Sequence, residues 1–229
     1  QFLDAVIDRN FYPTHEAQAS NSRWRPVGLG IMGLQDLFFQ LGLPFESDEA
    51  IRLSAEIQEE IYFTALKTSV ELAKQYGPHK DFINTHAANG LLQFDLAGKS
   101  DQITDKARWN ALKDEIKKYG LRNSLLISIA PTASISSIVG VYECIEPQNS
   151  NLFKSETLSG EFIRINRYLV EELQKRNLWN STIMNKIKLG EGSVQHIDEI
   201  PNDLKTLYKT VWEIKQKALI DHAAARGIF

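Results

Sequence analysis

One stretch of the sequence brings an apolar run, a tight turn and two hydroxyl groups together at a spacing that suits anion binding. Residues 125–129 are rich in β-forming types and predict a short buried strand, and the short helix predicted after it ends at Gly140. Backbone N–H groups at a helix start, together with the helix dipole, attract anions. The stretch therefore predicts a phosphate site that needs no cationic side chain. The turn of this stretch lies at Pro131, and Thr132 and Ser134 supply the two hydroxyls.

An ordinary helix cap explains part of the same pattern. Ser and Thr are favoured N-caps, and a strand, a turn and a helix often follow one another. A cap accounts for one hydroxyl, that of Thr132 or that of Ser134, and leaves the other without a local role. On the residues alone, both interpretations stay open.

A second pattern, G-x-G-x-x-G at Gly28, Gly30 and Gly33, has the letters of a dinucleotide-binding turn. That function requires a buried strand before the first glycine. Residues 20–26 are polar and end in a proline, so they predict no such strand. Small residues at this spacing more often allow close packing of a helix. We therefore predict a packing helix from Pro26 to about Leu41.

Other reactive side chains form no recognisable site. The histidines are scattered, with no pair at the spacing of metal ligands on a helix. The single cysteine, Cys144, excludes an intrachain disulfide, a zinc cluster of thiolates and a thiol pair within this chain. Glu143 and Glu146 could act as acid or base, but no partner is evident. The sequence thus assigns neither a catalytic residue nor a metal ligand.

Composition narrows the class of protein. The chain has 229 residues, 43% of them apolar and 24% charged, as in globular proteins, with a net charge of −3. Nothing resembles the clustered basic excess of a nucleic-acid-binding protein. No apolar run reaches the ~18 residues of a membrane span, and acidic residues near the start argue against a secretory signal. We expect a cytoplasmic protein that binds neither nucleic acid nor membrane.

The predicted elements give a helix-rich α/β protein. The strands, at 125–129 and less clearly at 91–94 and 142–145, are too few to close a sheet alone. The chain starts without Met and ends on Ile228 and Phe229, which suggests a piece of a longer polypeptide. Residues 10–25 are predicted to form an irregular arm and 77–100 a loop. Besides the helix at 26–41, helices are predicted at the opening residues, at 47–76, 104–119, 166–176 and 181–189, and at 201–226.

Several ungapped motifs, in one order, resemble the large (alpha) subunit of class I ribonucleotide reductase, closest to its eukaryotic-like branch. The resemblance covers essentially the whole chain. Its motifs are Arg25-Pro26-Val27-Gly28-Leu29-Gly30, Leu72-Ala73-Lys74-Gln75-Tyr76-Gly77-Pro78, Leu121-Arg122-Asn123-Ser124-Leu125, Pro131-Thr132-Ala133-Ser134, Ile145-Glu146-Pro147, Ser150-Asn151, Leu158-Ser159-Gly160-Glu161-Phe162 and Leu207-Tyr208-Lys209-Thr210-Val211-Trp212-Glu213.

The resemblance implies that residues 1–229 are one segment of a ten-stranded α/β barrel that reduces ribonucleoside diphosphates to deoxyribonucleoside diphosphates. It implies that the substrate diphosphate is held by residues 131–135, which are Pro131, Thr132, Ala133, Ser134 and Ile135. It also implies that residues 28–33 form a packing helix. No cofactor is expected in this segment. The family uses ATP and dNTP effectors on the large subunit, a radical and metal cofactor in a small subunit, and thioredoxin or glutaredoxin as reductant. The implied partners are the substrate, the remaining large-subunit segments, the small subunit and a second large subunit.

The chain also departs from the family pattern. The family's finger-loop cysteine, its redox cysteine pair and its C-terminal tyrosine pair have no counterparts, and Cys144 does not fall at a catalytic position. The finger loop is expected upstream of Gln1 and the C-terminal tail downstream of Phe229. We expect a reductase segment that is inactive alone. The alternative is a non-catalytic remnant, or a structural module that binds phosphate.

Overall fold

The elements of the chain are predominantly helical. The computed structural model describes residues 1–157 and 160–229, without the side chains of 155–157, 161 and 162. Leu158 and Ser159, from one of the family motifs, lie outside the described residues. The described α-helices are α1 (Phe2–Arg9), α2 (His15–Trp24), α3 (Leu34–Leu41), α4 (Asp48–Tyr76), α5 (Gln93–Leu96), α6 (Lys106–Tyr119), α7 (Ala133–Val139), α8 (Arg167–Lys175), α9 (Ser181–Leu189), α10 (Asn202–Leu207) and α11 (Gln216–Arg226).

The helices predicted at 47–76, 104–119, 166–176 and 181–189 are confirmed, and their first turns show why they begin where they do. Ser47 accepts a hydrogen bond from the Ala50 N–H at 3.1 Å, as expected of the cap of α4. Asp105 caps α6, and the side chains of Asn166 and Asn180 cap α8 and α9. Each cap satisfies N–H groups that the helix itself leaves without acceptors.

Other predicted elements are wrong. The arm predicted at 10–25 contains α2, which Thr14 caps by accepting the Ala17 N–H at 3.2 Å. The loop predicted at 77–100 holds two 3₁₀ turns, and its predicted strand at 91–94 is replaced by the start of α5. The predicted strand at 142–145 is a turn, in which Cys144 has a φ of 35°.

The long helix predicted at 201–226 is interrupted between α10 and α11. Val211 donates its backbone N–H to the Gln148 carbonyl at 2.8 Å, and the side-chain amide of Gln148 donates to the Tyr208 carbonyl at 3.2 Å. These partners replace the i to i−4 bonds of a continuous helix, so the break is tertiary in origin.

A β-hairpin lies where no strand is predicted. Strands β1 (Leu152–Thr157) and β2 (Gly160–Ile165) are antiparallel, with Leu152 opposite Ile165. Phe153, Ile163 and Ile165 are all exposed, so the hairpin lacks the clean inside-outside alternation that identifies a half-buried strand.

The glycine-rich segment 28–33 is not helical, so the predicted packing helix at 26–41 is wrong and helix begins only at α3. Leu29 forms a parallel bridge with Ile127, and the Val27 N–H donates to the Leu125 carbonyl at 3.0 Å. The predicted buried strand at 125–129 is present only as a single parallel bridge at Ile127, and it is not buried, since Leu125 is 65% and Ile129 38% exposed. A Cβ on Gly30 would lie 2.4 Å from the Ser128 carbonyl oxygen. The glycine is therefore needed for close approach of two backbones.

We expect Gly30→Ala to lower the free energy of unfolding by about 1–3 kcal/mol, the usual cost of forcing extra volume into a packed site. The clash is with backbone, which cannot rotate away. Gly42→Ala is the control, because a Cβ there meets nothing within 4 Å and only its positive φ of 68° is strained. Urea denaturation of both variants checks this. A smaller loss for Gly30→Ala than for Gly42→Ala would contradict the proposed close approach.

The chain forms two compact units, each with its own apolar core. Unit 1 comprises Gln1–Gly30, Ser54–Ala130 and Ala224–Phe229, and unit 2 comprises Ile31–Leu53 and Pro131–Ala223. The buried core of unit 1 contains Leu66, Val70, Phe82, Leu92, Phe94, Trp109, Leu112, Ile116, Leu121 and Phe229. The buried core of unit 2 contains Phe39, Leu169, Leu173, Ile183, Ile187, Val194, Ile197, Ile200, Leu204 and Tyr208.

Unit 1 also contains an ionic cluster centred on Arg25, in which Arg25 and Asp4 are buried and the Asp8 side chain is 59% exposed. Its guanidinium donates to Asp4 Oδ1 at 2.8 Å and to both carboxylate oxygens of Asp8 at 2.7 and 2.8 Å. Asn123 donates to Asp4 Oδ1 at 3.0 Å and to the Arg25 carbonyl at 3.1 Å. Burial acts to raise the pKa of Asp4, but Arg25, Arg122 and Asn123 together outweigh it and hold that pKa below its usual value. Each charge in the cluster is therefore stabilised by the opposite charges that contact it.

In the part of the chain that the structure describes, no helix combines the length and the apolar character needed to cross a membrane.

Candidate functional site

The predicted phosphate loop leads into α7, where Thr132 occupies the N-cap position in the left-handed conformation, with φ 56° and ψ 21°. Its side chain makes no capping bond. Instead, Thr132 Oγ1 accepts the backbone N–H of Cys144 at 2.8 Å. The interpretation of Thr132 as an ordinary side-chain cap is therefore wrong.

The first turn of α7 offers backbone donors. The first helical bond runs from the Ser136 N–H to the Thr132 carbonyl at 2.9 Å. The N–H groups of Ala133, Ser134 and Ile135 have no acceptor among the described residues. Pro131, Ala133, Ser134 and Ile135 are all exposed. The structure thus brings the predicted residues together at one exposed turn whose amides are available to a ligand.

The serines of α7 differ from one another in their surroundings. The hydroxyl of exposed Ser134 has no hydrogen-bond partner among the described residues. Ser136 is buried and Ser137 is exposed, and both hydroxyls donate to the Ala133 carbonyl at 3.3 Å. Arg164 also donates to Ser137 Oγ at 3.2 Å. Ser134 is therefore the serine of α7 whose hydroxyl is available to an added ligand.

The segment that follows α7 is bound to the start of α3. Asp36 Oδ2 accepts the Tyr142 N–H at 2.6 Å, and the Gly33 N–H donates to the Tyr142 carbonyl at 2.9 Å. The other carboxylate oxygen, Asp36 Oδ1, accepts the hydroxyl of Tyr168 at 3.0 Å. Burial and the negative charge of Asp36 raise the pKa of the Tyr142 phenol. Asp36 was not predicted from the sequence, where its signal is a carboxylate in the first turn of a mostly apolar helix.

Buried side-chain amides form a hydrogen-bond network within unit 2. Asn166 donates to Gln148 Oε1 and to Asn151 Oδ1, both at 2.9 Å, and its own oxygen caps α8. Asn151 donates to the carbonyls of Gly192 and Tyr208 at 3.0 and 2.8 Å. Because neutral amides are costly to bury without partners, this complete bonding fixes the turns around them. Asn151, which belongs to a family motif, is therefore structural.

The remaining reactive groups do not join the loop in one site. Glu143 and Glu146 line a separate cavity of about 560 Å³ with the buried side of α7. The side chain of Cys144 is buried, with 7% of the residue exposed, and it is the backbone of Cys144 that contacts Thr132. Within the described residues, no group of three or more His, Cys, Asp or Glu could hold a metal ion.

Comparison with known proteins identifies the family. The family model described as "Ribonucleotide reductase, barrel domain" matches residues 1–229. The chain is 49% identical over 227 residues to the ribonucleoside-diphosphate reductase large chain of Schizosaccharomyces pombe, and 48% identical over 229 residues to the large subunit from Plasmodium falciparum. Each alignment covers 99% of this chain and 28% of the relative. The chain thus spans little more than a quarter of these relatives.

A solved structure supports the same family assignment. The class Id ribonucleotide reductase alpha subunit of Actinobacillus ureae superposes with a TM-score of 0.74 at 28% identity, over 99% of this chain and 36% of that chain. The motif-based resemblance to reductase large subunits, including its eukaryotic-like character, is confirmed, and a partial barrel segment is consistent with the helix-rich fold. The chain belongs to the ribonucleotide reductase barrel-domain family.

Proposed function

We propose that this chain is part of a ribonucleoside-diphosphate reductase large subunit and that its residues 131–135 bind the substrate diphosphate. The enzyme reduces ribonucleoside diphosphates to deoxyribonucleoside diphosphates for DNA synthesis, and it needs segments beyond this chain for activity. The observation that carries the proposal is the exposed first turn of α7. There, unpaired amides and the hydroxyls of Thr132 and Ser134 lie together in a member of this family.

The donor groups at the first turn of α7 suit an anionic ligand. Three consecutive amides at a helix start are donors with partial positive charge, and they attract phosphate oxygens without a cationic side chain. A hydroxyl can add one donated bond to a charged oxygen, which is stronger than a bond between neutral groups. A diphosphate has enough oxygens to use the amides and both hydroxyls at once.

The proposal includes partners and a location. In the assembled enzyme, the chain contacts the remaining large-subunit segments, and the large subunit pairs with a second copy and with a radical-generating small subunit. ATP and dNTP effectors, the radical and metal cofactor, and thioredoxin or glutaredoxin act outside residues 1–229. We place the enzyme in the cytoplasm.

Ser134→Ala tests the diphosphate assignment. We expect it to weaken substrate binding in the reconstituted large subunit about 10- to 150-fold, because a hydrogen bond to a charged group contributes about 1.5–3 kcal/mol. Ser134 is not the N-cap of α7, so the thermal unfolding midpoint should stay near that of the wild type. Substrate affinity is measured by equilibrium binding, with effector affinity followed in parallel.

Ser137→Ala is the matched control, because Ser137 is exposed on the same helix and its hydroxyl is already bonded to the Ala133 carbonyl. Ser136 is less suitable, since it is buried. Equal losses for Ser134→Ala and Ser137→Ala, or an equal fall in effector affinity, would mean that the helix start binds no substrate phosphate.

A further inference from the structure

We propose that Asp36 is a positioning residue for the phosphate loop, acting through the segment that holds the hydroxyl of Thr132. Asp36 lies in the first turn of α3 and is 4% exposed. Its carboxylate bonds to Tyr142 and Tyr168, and Arg167 lies 3.8 Å from Oδ1, so we place its effect on the loop in these contacts. This inference rests on the proposed diphosphate site at residues 131–135.

The first step is the attachment of Tyr142 to α3. The Tyr142 N–H donates to Asp36 Oδ2 at 2.6 Å, and its carbonyl accepts the Gly33 N–H at 2.9 Å. Both polar groups of this peptide backbone are therefore bound to the start of one helix. A bond to an ionised carboxylate is the stronger kind, so it resists displacement of the segment.

The second step joins that segment to the loop. Two residues after Tyr142, the Cys144 N–H donates to Thr132 Oγ1 at 2.8 Å. A hydroxyl carries two lone pairs and one proton. The Cys144 amide occupies one lone pair, so the Thr132 proton points away from this amide and is left for another acceptor, such as a phosphate oxygen. The amide thus restricts the directions in which the hydroxyl can donate.

The backbone conformations of Thr132 and Cys144, at the two ends of this hydrogen bond, support the same connection. Thr132 and Cys144 have φ values of 56° and 35°, in the left-handed region that residues with side chains rarely adopt. Such conformations persist only where the surrounding structure enforces them. The two strained residues are joined by the hydrogen bond itself, and Asp36 fixes the segment that contains one of them. Loss of Asp36 should therefore release the hydroxyl of Thr132 from its fixed direction.

The test compares Asp36→Ala with Asp36→Asn in the reconstituted reductase. We expect Asp36→Ala to raise KM for the ribonucleoside diphosphate about tenfold, the effect of one lost hydrogen bond, with kcat little changed. The Asn carboxamide oxygen can still accept the Tyr142 N–H, and its amide can donate to the Tyr168 oxygen. Asp36→Asn should therefore restore KM to near the wild-type value. Equal KM values for the two variants would overturn the proposal.

A double-mutant cycle separates positioning from general support. In a Thr132→Val background, Asp36→Ala should raise KM by less than about twofold, because coupled residues are not additive. Additive effects would show that Asp36 does not act through the Thr132 hydroxyl. If Thr132→Val alone leaves KM unchanged, the Thr132 hydroxyl does not contact the substrate and the inference about Asp36 fails, whereas the diphosphate assignment is decided separately by Ser134→Ala.

Hydrogen exchange of the Cys144 amide tests the contact without using activity. Thr132→Val removes the acceptor and should accelerate exchange about tenfold, whereas Thr132→Ser should preserve protection. Unchanged exchange in Thr132→Val would overturn the proposal even if Asp36→Ala fails to fold. Tyr168→Phe is the matched control, because it removes the partner of the other Asp36 oxygen. A KM increase in Tyr168→Phe as large as that in Asp36→Ala would also overturn it.

Discussion

The isolated chain should form no measurable deoxyribonucleotide, even when a small subunit, thioredoxin and effector are supplied. The chemistry that the family resemblance implies requires one radical thiol and two reducing thiols, and this chain contains only Cys144. The chain also spans 28% of its reductase relatives in S. pombe and P. falciparum. The expected result is complete absence of turnover, measured as conversion of a radiolabelled ribonucleoside diphosphate.

Complementation supplies the control for this experiment. The same preparation, mixed with the remaining segments of a large subunit, should gain activity if the chain is a working part of the enzyme. Circular dichroism of the isolated chain should show the helical content of the fold, so that inactivity is not mistaken for misfolding. Turnover by the pure chain would contradict the expected dependence on other segments, and failure of complementation would favour the non-catalytic alternative.

Arg25→Met should lower the free energy of unfolding by about 3–5 kcal/mol, because it leaves the buried carboxylate of Asp4 without its main counter-charge. Arg25 donates hydrogen bonds to both Asp8 and Asp4, and these bonds raise the pKa of its guanidinium. Met matches the length of the side chain without its charge. Urea denaturation followed by circular dichroism measures the loss.

Arg176→Met is the matched control. Arg176 pairs with Asp203 at 2.6 Å, but the two side chains are 36% and 60% exposed, and exposed ion pairs contribute little. The unfolding midpoint of Arg176→Met should therefore stay close to that of the wild type. If the two arginine variants lose equal stability, the cluster around Arg25 does not behave as a buried ionic network.

The elements that local signals specify were predictable from the sequence. Ser47 begins α4 by capping, Gly120 ends α6, and α6 buries Trp109, Leu112 and Ile116 at the spacing of one helix face. The turn that brings Thr132 and Ser134 to the start of α7 was also predictable, because the turn and the helix follow one another along the chain. These features depend on residues within a few positions of each other.

The features that were missed depend on partners far away in sequence. Residues 27–29 are extended because they pair with 125–128, so Pro26 and the glycines gave a misleading local pattern that favoured a helix. Asp36 owes its role to a backbone amide 106 residues away. No periodicity or spacing indicates such a contact. Whether Thr132 caps its helix was also undecidable, since its hydroxyl is engaged by a separate turn.

The left-handed backbone of Thr132 costs conformational free energy, and this cost affects which residues can replace threonine there during evolution. A β-branched residue in the left-handed region costs on the order of 1–3 kcal/mol, whereas glycine adopts the same backbone freely. Selection for heat resistance alone would favour glycine at position 132 and would discard the hydroxyl in the same step. Selection for turnover would oppose that exchange. Libraries of variants screened for thermal stability should therefore select glycine at position 132, whereas libraries screened for turnover should retain threonine.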